Sequence, residues 1–498
     1  MKKLHFLRLV LAAMLAFSAH AAFTARAGAQ PNIIIILADD MGYGDVQALN
    51  KNSKIPTPNL NRLAKEGMTF TDAHSPSAVC TPTRYGVVTG RYCWRSRLKR
   101  GVLNGYDSHL IDPKRTTVAR FMSQSGYHSA VIGKWHLGMD FAKSGPGKND
   151  FDFSKPITNG ANDVGFDYSY VIPASLDFPP YFYIRNQRAV MLPTMKQEKQ
   201  GFPAFLRAGE IAPNFIMEGA LDHLTEQAVG YLGKRSKLDQ PFFLYFPLTA
   251  PHKPVLPHKR FRGKTKLGPY GDFVVQVDWT VGEILKALDN LNLADNTVVF
   301  YTSDNGSFMY RYDEDKPGHV KDETIQGFRA KAHTANGPLR GTKADVWEAG
   351  HRVPFFVRWP GKIRPGSKNT QTITHTDFFA TCTEIAGKGL PDDAAEDSIS
   401  LLPLMLGRDW PTPRAPVINH SASGMFAIRD GKWKLVLGNG SGGREQPKGK
   451  PFEQPYHLFD LSEDLPERKN VAEQHPDLVK RLIKQFERIH QGSGSRSL

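Results

Sequence analysis

The feature that most limits the fold is an unbroken apolar run that ends in two carboxylates. Residues 32–38 read N-I-I-I-I-L-A, and Asp39 and Asp40 follow immediately. Apolar residues without polar alternation are typical of a strand buried on both faces, as in a parallel sheet covered by helices. The sequence therefore predicts an α/β core whose first strand ends in polar groups.

Further segments of the chain continue this pattern. Residues 240–248, 297–302 and 354–359 are also apolar and strand-like, and the helix-length segments 59–67 and 272–291 are interspersed with them. Strands that alternate with helices indicate a large α/β sheet with helices on both faces.

Polar residues follow two of these strands. Asp39 and Asp40 end the first, and Asp304 and Asn305 follow the strand at 297–302. Ligands of open α/β sheets collect beyond the carboxyl ends of the strands, so we expect these four side chains to meet. They offer only hard oxygen ligands, which suit Ca²⁺ or Mg²⁺ and leave the choice between them open. A helix cap or turn is the alternative explanation for an isolated Asp-Asp pair.

Residues 78–90 read A-V-C-T-P-T-R-Y-G-V-V-T-G. If the Thr-Pro step opens a helix, Cys80 lies at its N-terminus and Arg84 one turn along the same face. Helix amides and a guanidinium would then face whatever Cys80 attacks, so the target should be an anion. The alternative is a buried cysteine on an amphipathic helix.

Two segments of the chain resemble the signatures of a known family. Residues 80–84, C-T-P-T-R, and residues 126–136, G-Y-H-S-A-V-I-G-K-W-H, resemble the two signatures of the formylglycine-dependent (type I) sulfatases, members of the alkaline-phosphatase-like superfamily. The resemblance extends from about Pro31 to the C-terminus and is greatest for bacterial carbohydrate sulfatases. It implies a large alkaline-phosphatase-like sheet flanked by helices, and conversion of Cys80 to Cα-formylglycine by a maturation enzyme.

The resemblance also implies a role for each site residue. One calcium ion would be bound by Asp39, Asp40, Asp304, Asn305 and the modified Cys80. Sulfate would be bound by Lys134, His252 and Lys343, with Ser175 as a further substrate-binding match. The catalytic set would be Cys80, Arg84, Lys134, His136, His252 and Lys343. Within it, Arg84 would hold the nucleophile loop, His252 would protonate the leaving oxygen and His136 would be the base for elimination. Lys134 and His136 are two residues apart, so an extended segment would point them to the same side.

An aldehyde hydrate at residue 80 would solve a specific chemical problem. In the mechanism that the resemblance implies, one hydroxyl, deprotonated against the metal, would attack sulfur and displace the alcohol. The second lets the bound sulfate leave by elimination and regenerates the aldehyde.

Composition and the N-terminus bear on where the protein acts. The chain has 498 residues, of which 40% are hydrophobic, as is usual for a globular enzyme. Residues 1–29 have the basic, apolar and small-residue order of a signal peptide, so we expect an exported protein, periplasmic or secreted, without stable membrane insertion. An N-terminal membrane anchor is the alternative. Loss of Lys2, Lys3, Arg8 and Arg26 would lower the formal charge from +15 to +11, which favours polyanionic partners. No basic run interleaved with aromatics indicates nucleic acid.

Three cysteines are an odd number for an exported protein. Conversion of Cys80 would leave Cys93 and Cys382, either as a pair or as two isolated thiols.

The composition changes near residue 411. We expect a catalytic domain over residues 30–410 and a smaller α+β subdomain over 411–490. This subdomain should contain an antiparallel sheet with a hairpin at 425–437. The Gly/Ser-rich tail, 491–498, is expected to be frayed.

The substrate is less constrained than the chemistry. Aromatic residues at 178–183 lie in a long insertion, and aromatic rings near such a pocket commonly stack on sugars. A sulfated carbohydrate is therefore favoured over a simple aryl sulfate, with galactose or N-acetylgalactosamine 6-sulfate as the narrower choice. Sugar identity, endo or exo action and oligomeric state stay open. The competing functions are a phosphonate or phosphodiester hydrolase of the same superfold and a non-catalytic polyanion-binding protein.

Overall fold

The computed structural model describes residues 30–496, and its largest element is a ten-stranded mixed sheet. The expected signal peptide lies outside the described residues. The strands are β1 (Asn32–Asp39), β2 (Met68–Phe70), β3 (Ala73–His74), β4 (His128–Lys134), β5 (Tyr168–Ile172), β6 (Ile184–Arg185), β7 (Arg188–Ala189), β8 (Met195–Gln197), β9 (Gly209–Ile211), β10 (Phe242–Pro251), β11 (Thr297–Ser303), β12 (Tyr310–Tyr312), β13 (Gly327–Arg329), β14 (Phe355–Arg358), β15 (Ser367–Asn369), β16 (Ile373–Thr374), β17 (Val417–His420), β18 (Phe426–Asp430), β19 (Trp433–Leu437) and β20 (His457–Asp460). The helices are α1 (Pro58–Glu66), α2 (Cys80–Thr89), α3 (Val118–Gln124), α4 (Ala220–Arg235), α5 (Gly268–Asn290), α6 (Glu348–His351), α7 (Phe378–Ile385), α8 (Leu402–Met405) and α9 (Pro476–Gln491).

The large sheet has the order β15-β2-β14-β11-β1-β10-β4-β5-β6-β7. Its centre is parallel: β1 pairs with β10 and β11, and the parallel pairing continues through β4 to β5. The expected core strand near residue 354 is β14, but it pairs antiparallel with β11, so the sheet is mixed. The central strands therefore all point their carboxyl ends to one edge, where the polar residues lie.

Burial explains why the central strands have no polar alternation. Residues 33–37 of β1 are fully buried. Helices α4 and α5 contact β10, and α1 packs on α5. Helix α3 packs on β4 and α7, and α7 contacts α2. This flanking of the sheet by helices agrees with the expected α/β fold.

A second, smaller sheet lies in the C-terminal part. Strands β17, β18, β19 and β20 are antiparallel in that order, and Gly431, with φ of 56°, lies in the turn of the expected hairpin. Helix α9 packs on β18. Tyr92 and Trp94 belong to the same apolar cluster, so the small sheet shares a core with the segment that follows α2. The predicted α+β subdomain is confirmed.

The C-terminal tail is more ordered than expected up to residue 496. Ser495 is 5% exposed, and its N–H lies 3.0 Å from the carbonyl oxygen of Glu396 and 2.9 Å from Oδ1 of Asp397. The Arg496 guanidinium donates to the carbonyl oxygen of Pro391. The prediction of a frayed tail was wrong for these two residues because hydrogen bonds hold them to residues 391–397.

Two further expectations concern the cysteines and the membrane. Cys93 and Cys382 are both buried free thiols, so the unpaired alternative holds. No helix within residues 30–496 combines the length and the apolar character needed to cross a bilayer.

Candidate active site at the carboxyl edge of the sheet

The carboxyl ends of β1 and β11 bring three carboxylates together. Ala38 and Ser303 are partners in register, so Asp39 and Asp40 lie beside Asp304. The Asp40 N–H donates to Oδ1 of Asp304 at 3.2 Å. All three aspartates are fully buried. The predicted meeting of the acidic strand ends is confirmed.

Asn305 completes the oxygen-rich group. Its Nδ2 donates to Oδ1 of Asp40 at 2.6 Å, while its Oδ1 is buried and has no hydrogen-bond partner among the described residues. The next residue is Gly306. A Cβ atom at this position would lie 1.7 Å from the carbonyl oxygen of Ala349, so only glycine fits. An unsatisfied buried acceptor is costly, which indicates a missing partner at Asn305.

Cys80 is the first residue of α2, as predicted, and Pro82 lies in the first turn. Its Sγ lies 3.7 Å from Oδ1 of Asp39 and 3.4 Å from Nζ of Lys343. Burial, followed by the nearby charge of Asp304, raises the pKa of the Cys80 thiol above its ordinary value. A raised pKa disfavours the thiolate, which is the nucleophilic form of cysteine.

Two cations from α2 and β4 neutralise part of this acidic group. Lys134, the last residue of β4, places Nζ 2.9 and 2.8 Å from the two carboxylate oxygens of Asp39. Arg84 donates from Nε and Nη2 to Oδ2 of Asp304 at 3.1 and 2.7 Å. Its Nη1 also donates to the carbonyl oxygen of Lys134 at 3.1 Å. Arg84 thus ties the helix of Cys80 to two strand ends.

Lys343 supplies the third cation from a loop. Its Nζ lies 2.7 Å from Oδ1 of Asp40. The Ala344 N–H donates to the carbonyl oxygen of Ala78 at 2.8 Å, which fixes this loop beside the segment that precedes Cys80.

Burial and charge affect the two adjacent aspartates differently. Burial raises the pKa of Asp40 to about 6, although Lys343 opposes the shift. Burial would also raise the pKa of Asp39, but the charges of Lys134, Arg84 and Lys343 outweigh it and lower that pKa. The two aspartates therefore differ because three cations act on Asp39, whereas Lys343 is the main cation that acts on Asp40.

His252 follows the end of β10 and faces the same group. Its Nδ1 lies 2.5 Å from the carbonyl oxygen of Lys253, so Nδ1 carries the hydrogen. Nε2 lies 3.6 Å from Oδ2 of Asp40 and is presented to the site. Burial and the charges of Lys343 and Lys134 hold the pKa of His252 well below its ordinary value.

His136 is oriented in a different way from the one expected. Its φ of 56° is left-handed, so the extended geometry proposed for Lys134 and His136 was wrong. Nε2 lies 2.7 Å from the carbonyl oxygen of Leu103, which leaves Nδ1 without the hydrogen. This Nδ1 is buried and has no hydrogen-bond partner among residues 30–496. Burial, then Lys134 and Arg84, hold the pKa of His136 well below its ordinary value, so the ring is neutral.

Ser175 lies in a loop beside His136, but no hydrogen bond among the described residues joins its side chain to the acidic group. The His136 N–H donates to the carbonyl oxygen of Pro173 at 3.0 Å, which anchors the loop. Ser175 is 2% exposed, and its Oγ has no hydrogen-bond partner in the described part of the chain.

Asp177 of the same loop was missed by the sequence reasoning. Its Oδ1 lies 3.8 Å from Nδ1 of His252. In the sequence, nothing distinguishes this aspartate of a turn-rich insertion except its position two residues after Ser175.

Of the expected residues, the structure brings nine into one contact network: Asp39, Asp40, Cys80, Arg84, Lys134, His252, Asp304, Asn305 and Lys343. His136 is linked to it along the chain through Lys134, and Ser175 stands apart.

Comparison with known proteins identifies the family of the chain. The sequence profile of the sulfatase family matches residues 31–388. The chain belongs to the sulfatase family. A second profile, that of the C-terminal region of N-sulphoglucosamine sulphohydrolase, matches residues 342–492 of this sulfatase.

The sulfatase is similar to individual proteins over most of its length. It is 35% identical to an N-acetylgalactosamine-6-O-sulfatase of Bacteroides thetaiotaomicron, over 92% of this chain and 93% of the relative. A Bacteroides thetaiotaomicron structure solved in work on glycosaminoglycan metabolism superposes with a TM-score of 0.81 at 33% identity, covering 93% of this chain and 100% of the other. A phosphonate monoester hydrolase of Agrobacterium radiobacter has a TM-score of 0.57 at 18% identity, covering 91% and 95%, and shares the fold alone.

Proposed function

We propose that this sulfatase hydrolyses the 6-O-sulfate ester of a galactose or N-acetylgalactosamine unit in a sulfated saccharide, using a calcium ion and a formylglycine formed from Cys80. The observation that carries the proposal is the position of Cys80. It begins a helix, and Asp39 and Lys343 both lie within 4 Å of its Sγ. The similarity to the N-acetylgalactosamine-6-O-sulfatase of Bacteroides thetaiotaomicron supports the choice of substrate.

The residues present fit a calcium ion. Carboxylate and amide oxygens are the ligands that Ca²⁺ prefers, and the unpartnered Oδ1 of Asn305 lies next to Asp40. The three carboxylates and Asn305 lie together and are fully buried, as the ligands of one ion would be. The ligands would be Asp39, Asp40, Asp304, Asn305 and the modified residue 80. Calcium bound there would supply positive charge beside the sulfate oxygens and favour the ionised nucleophile.

Burial of residue 80 supports its modification. Because the thiol pKa is raised, an unmodified Cys80 would have to lose a proton at high cost before it could attack sulfur. A formylglycine hydrate would supply one hydroxyl for attack on sulfur and a second for elimination of sulfate.

Each of the two histidines donates one ring N–H to a backbone carbonyl oxygen and keeps the other ring nitrogen free for proton transfer. His252 presents Nε2 to the site, so a proton on that nitrogen would pass to the alcohol oxygen as its bond to sulfur breaks. An arriving sulfate ester would oppose the lysine charges that lower the pKa of His252. His136 offers an unprotonated Nδ1 and would accept the proton released during elimination.

Lys134 and Lys343 would bind the sulfate oxygens, and Arg84 would hold the helix of residue 80 against the carboxylates. Both lysines now contact carboxylates, so their availability to sulfate requires another cation for those oxygens. Ser175 is proposed as a further substrate contact because its buried hydroxyl lacks a partner.

The proposal includes export to the periplasm or the cell exterior through residues 1–29, and a maturation enzyme that acts on Cys80. Peptide mass spectrometry of the exported enzyme tests both parts. The new N-terminus reports removal of residues 1–29, and the mass of residue 80 reports the modification. Active enzyme that retains an unmodified Cys80 would overturn the mechanism.

Activity measurements test the substrate and the reaction. We expect turnover of 4-nitrophenyl sulfate and of galactose or N-acetylgalactosamine 6-sulfate, and loss of activity in EDTA with recovery in Ca²⁺. Cys80→Ala should lower kcat/KM at least about a thousandfold, as removal of a nucleophile does. Cys93→Ala, which removes a second buried free cysteine, is the matched control. Faster turnover of phosphonate or phosphate esters than of sulfate esters would favour the competing hydrolase. Tight binding of polyanions without turnover of any ester would favour the non-catalytic alternative.

A further inference from the structure

Asp177 holds one carboxylate oxygen without a hydrogen-bond partner at the edge of the site. Its side chain is 3% exposed, and its Oδ2 accepts a hydrogen bond from Nη1 of Arg207. Oδ1 is buried and has no hydrogen-bond partner in the described part of the chain. A buried carboxylate oxygen in this state costs free energy, which a ligand that donates a hydrogen bond would recover.

His252 does not satisfy this oxygen. Oδ1 of Asp177 lies 3.8 Å from Nδ1 of His252, beyond hydrogen-bond distance, and that Nδ1 already points to the carbonyl oxygen of Lys253 at 2.5 Å. Asp177 is therefore next to the proposed proton donor without being its hydrogen-bond partner. Oδ1 therefore keeps its capacity to accept a hydrogen bond.

Arg207 holds the Asp177 carboxylate beside His252. Its guanidinium lies 3.9 Å from the centre of the Phe178 ring, and it also donates to the carbonyl oxygen of Asp177 at 3.0 Å. The Phe178 ring lies 5.8 Å from that of His136. The Arg207 side chain is 43% exposed, whereas the carboxylate beneath it is buried. The pair thus extends from solvent to the two histidines.

We propose that Oδ1 of Asp177 accepts a hydrogen bond from a ring hydroxyl of the sugar that carries the sulfate, with Arg207 holding the carboxylate in place. This inference rests on the proposed function and adds a residue that selects a polyhydroxylated leaving group. Because Arg207 already binds Oδ2, Oδ1 is the carboxylate oxygen left for a further donor. A substrate hydroxyl fits it, and an aryl leaving group without hydroxyls leaves it unpaired.

The test compares Asp177→Asn and Asp177→Ala with wild type on three kinds of substrate. These are the sugar 6-sulfate, its analogues that each lack one ring hydroxyl, and 4-nitrophenyl sulfate. We expect Asp177→Ala to lower the ratio of kcat/KM on the sugar sulfate to that on the aryl sulfate by about 10- to 100-fold. With the wild-type enzyme, kcat/KM for one deoxy analogue should be lower than that for the full sugar sulfate by a similar factor. With Asp177→Ala, removal of the same hydroxyl should lower kcat/KM little further.

Asp409→Asn, which removes an exposed carboxylate, is the control and should leave the ratio unchanged. Arg207→Met provides a second variant, expected to lower the same ratio, should Asp177→Ala not fold. Equal loss on sugar and aryl sulfates would overturn the inference. If Asp177→Ala instead lowers kcat/KM equally on every deoxy analogue and shifts the pH profile of the reaction, the role of Asp177 is to position His252. If wild type cleaves aryl sulfate but no sugar sulfate, both the proposed substrate and this inference fail.

Discussion

Replacement of Arg84 by methionine should destabilise the protein strongly, because the guanidinium is a fully buried charge between two elements. It donates to Asp304 at 2.7 Å and to the carbonyl oxygen of Lys134 at 3.1 Å. Removal of one partner from a buried ion pair costs about 3–5 kcal/mol. For a chain of this length, an unfolding entropy of about 2.1 cal/mol/K per residue amounts to about 1 kcal/mol per degree. We therefore expect Tm to fall by roughly 3–5 °C.

Differential scanning calorimetry of metal-free protein measures this loss, and Arg91→Met is the matched control. Arg91 lies just beyond the end of α2 and pairs with Glu396 at 3.2 Å, but the two side chains are 20% and 19% exposed. Partly exposed pairs contribute about 1 kcal/mol or less, so its Tm should change by about 1 °C at most. Equal Tm values for the two variants would refute the assignment of Arg84 as a buried structural charge.

The same replacement should reduce activity beyond its effect on stability. Arg84 contacts the backbone of Lys134 and the carboxylate of Asp304, so its loss should displace both groups. A displacement of about 1 Å near the reacting atoms can lower the rate about a hundredfold. Arg84→Met should thus lose activity at temperatures where it is fully folded. Normal kcat/KM in folded Arg84→Met would contradict this reasoning.

Other predictions concern the rest of the molecule. Gly306→Ala should lose the calcium-dependent rise in Tm, because its Cβ would lie 1.7 Å from the carbonyl oxygen of Ala349; an unchanged rise would argue against it. Lys434→Met should lower the urea-unfolding free energy by about 3–5 kcal/mol, because Nζ lies 3.1 Å from buried Glu348; a loss below 1 kcal/mol would contradict this. Burial lowers the pKa of His420 to about 4. The folded state therefore resists a proton that the unfolded chain accepts, and stability should fall by roughly 3 kcal/mol between pH 6.5 and 4 through this residue. His420→Asn should show a shallower decline in urea unfolding, and an identical slope would rule the residue out.

The acidic centre of the site could be predicted because local sequence and fold class both determine it. The apolar run before Asp39 is long enough to identify a buried strand, and the strand before Asp304 has the same character. Parallel pairing of the two then places their ends side by side. The position of Cys80 followed equally from a local rule, since Pro82 favours the first turn of a helix.

The remaining contacts depend on tertiary structure that no short segment specifies. The left-handed φ of His136 contradicts the extended geometry expected from sequence spacing. Arg207 reaches Asp177 across 30 residues, within an insertion that has no strong periodicity. Antiparallel pairing of β14 likewise depends on a long-range connection, since apolar strands of both directions look alike in sequence.

The charges of the site suggest why cofactor and substrate should bind together. Each of the three cations, Lys134, Lys343 and Arg84, contacts a buried aspartate, so their formal charges balance. A sulfate ester alone would have to displace a carboxylate from a lysine, with little net gain in charge. If the carboxylates are instead satisfied by a divalent cation, the lysines are free to face the sulfate oxygens. The same aspartates would then control metal affinity and substrate affinity, and the two affinities should rise together.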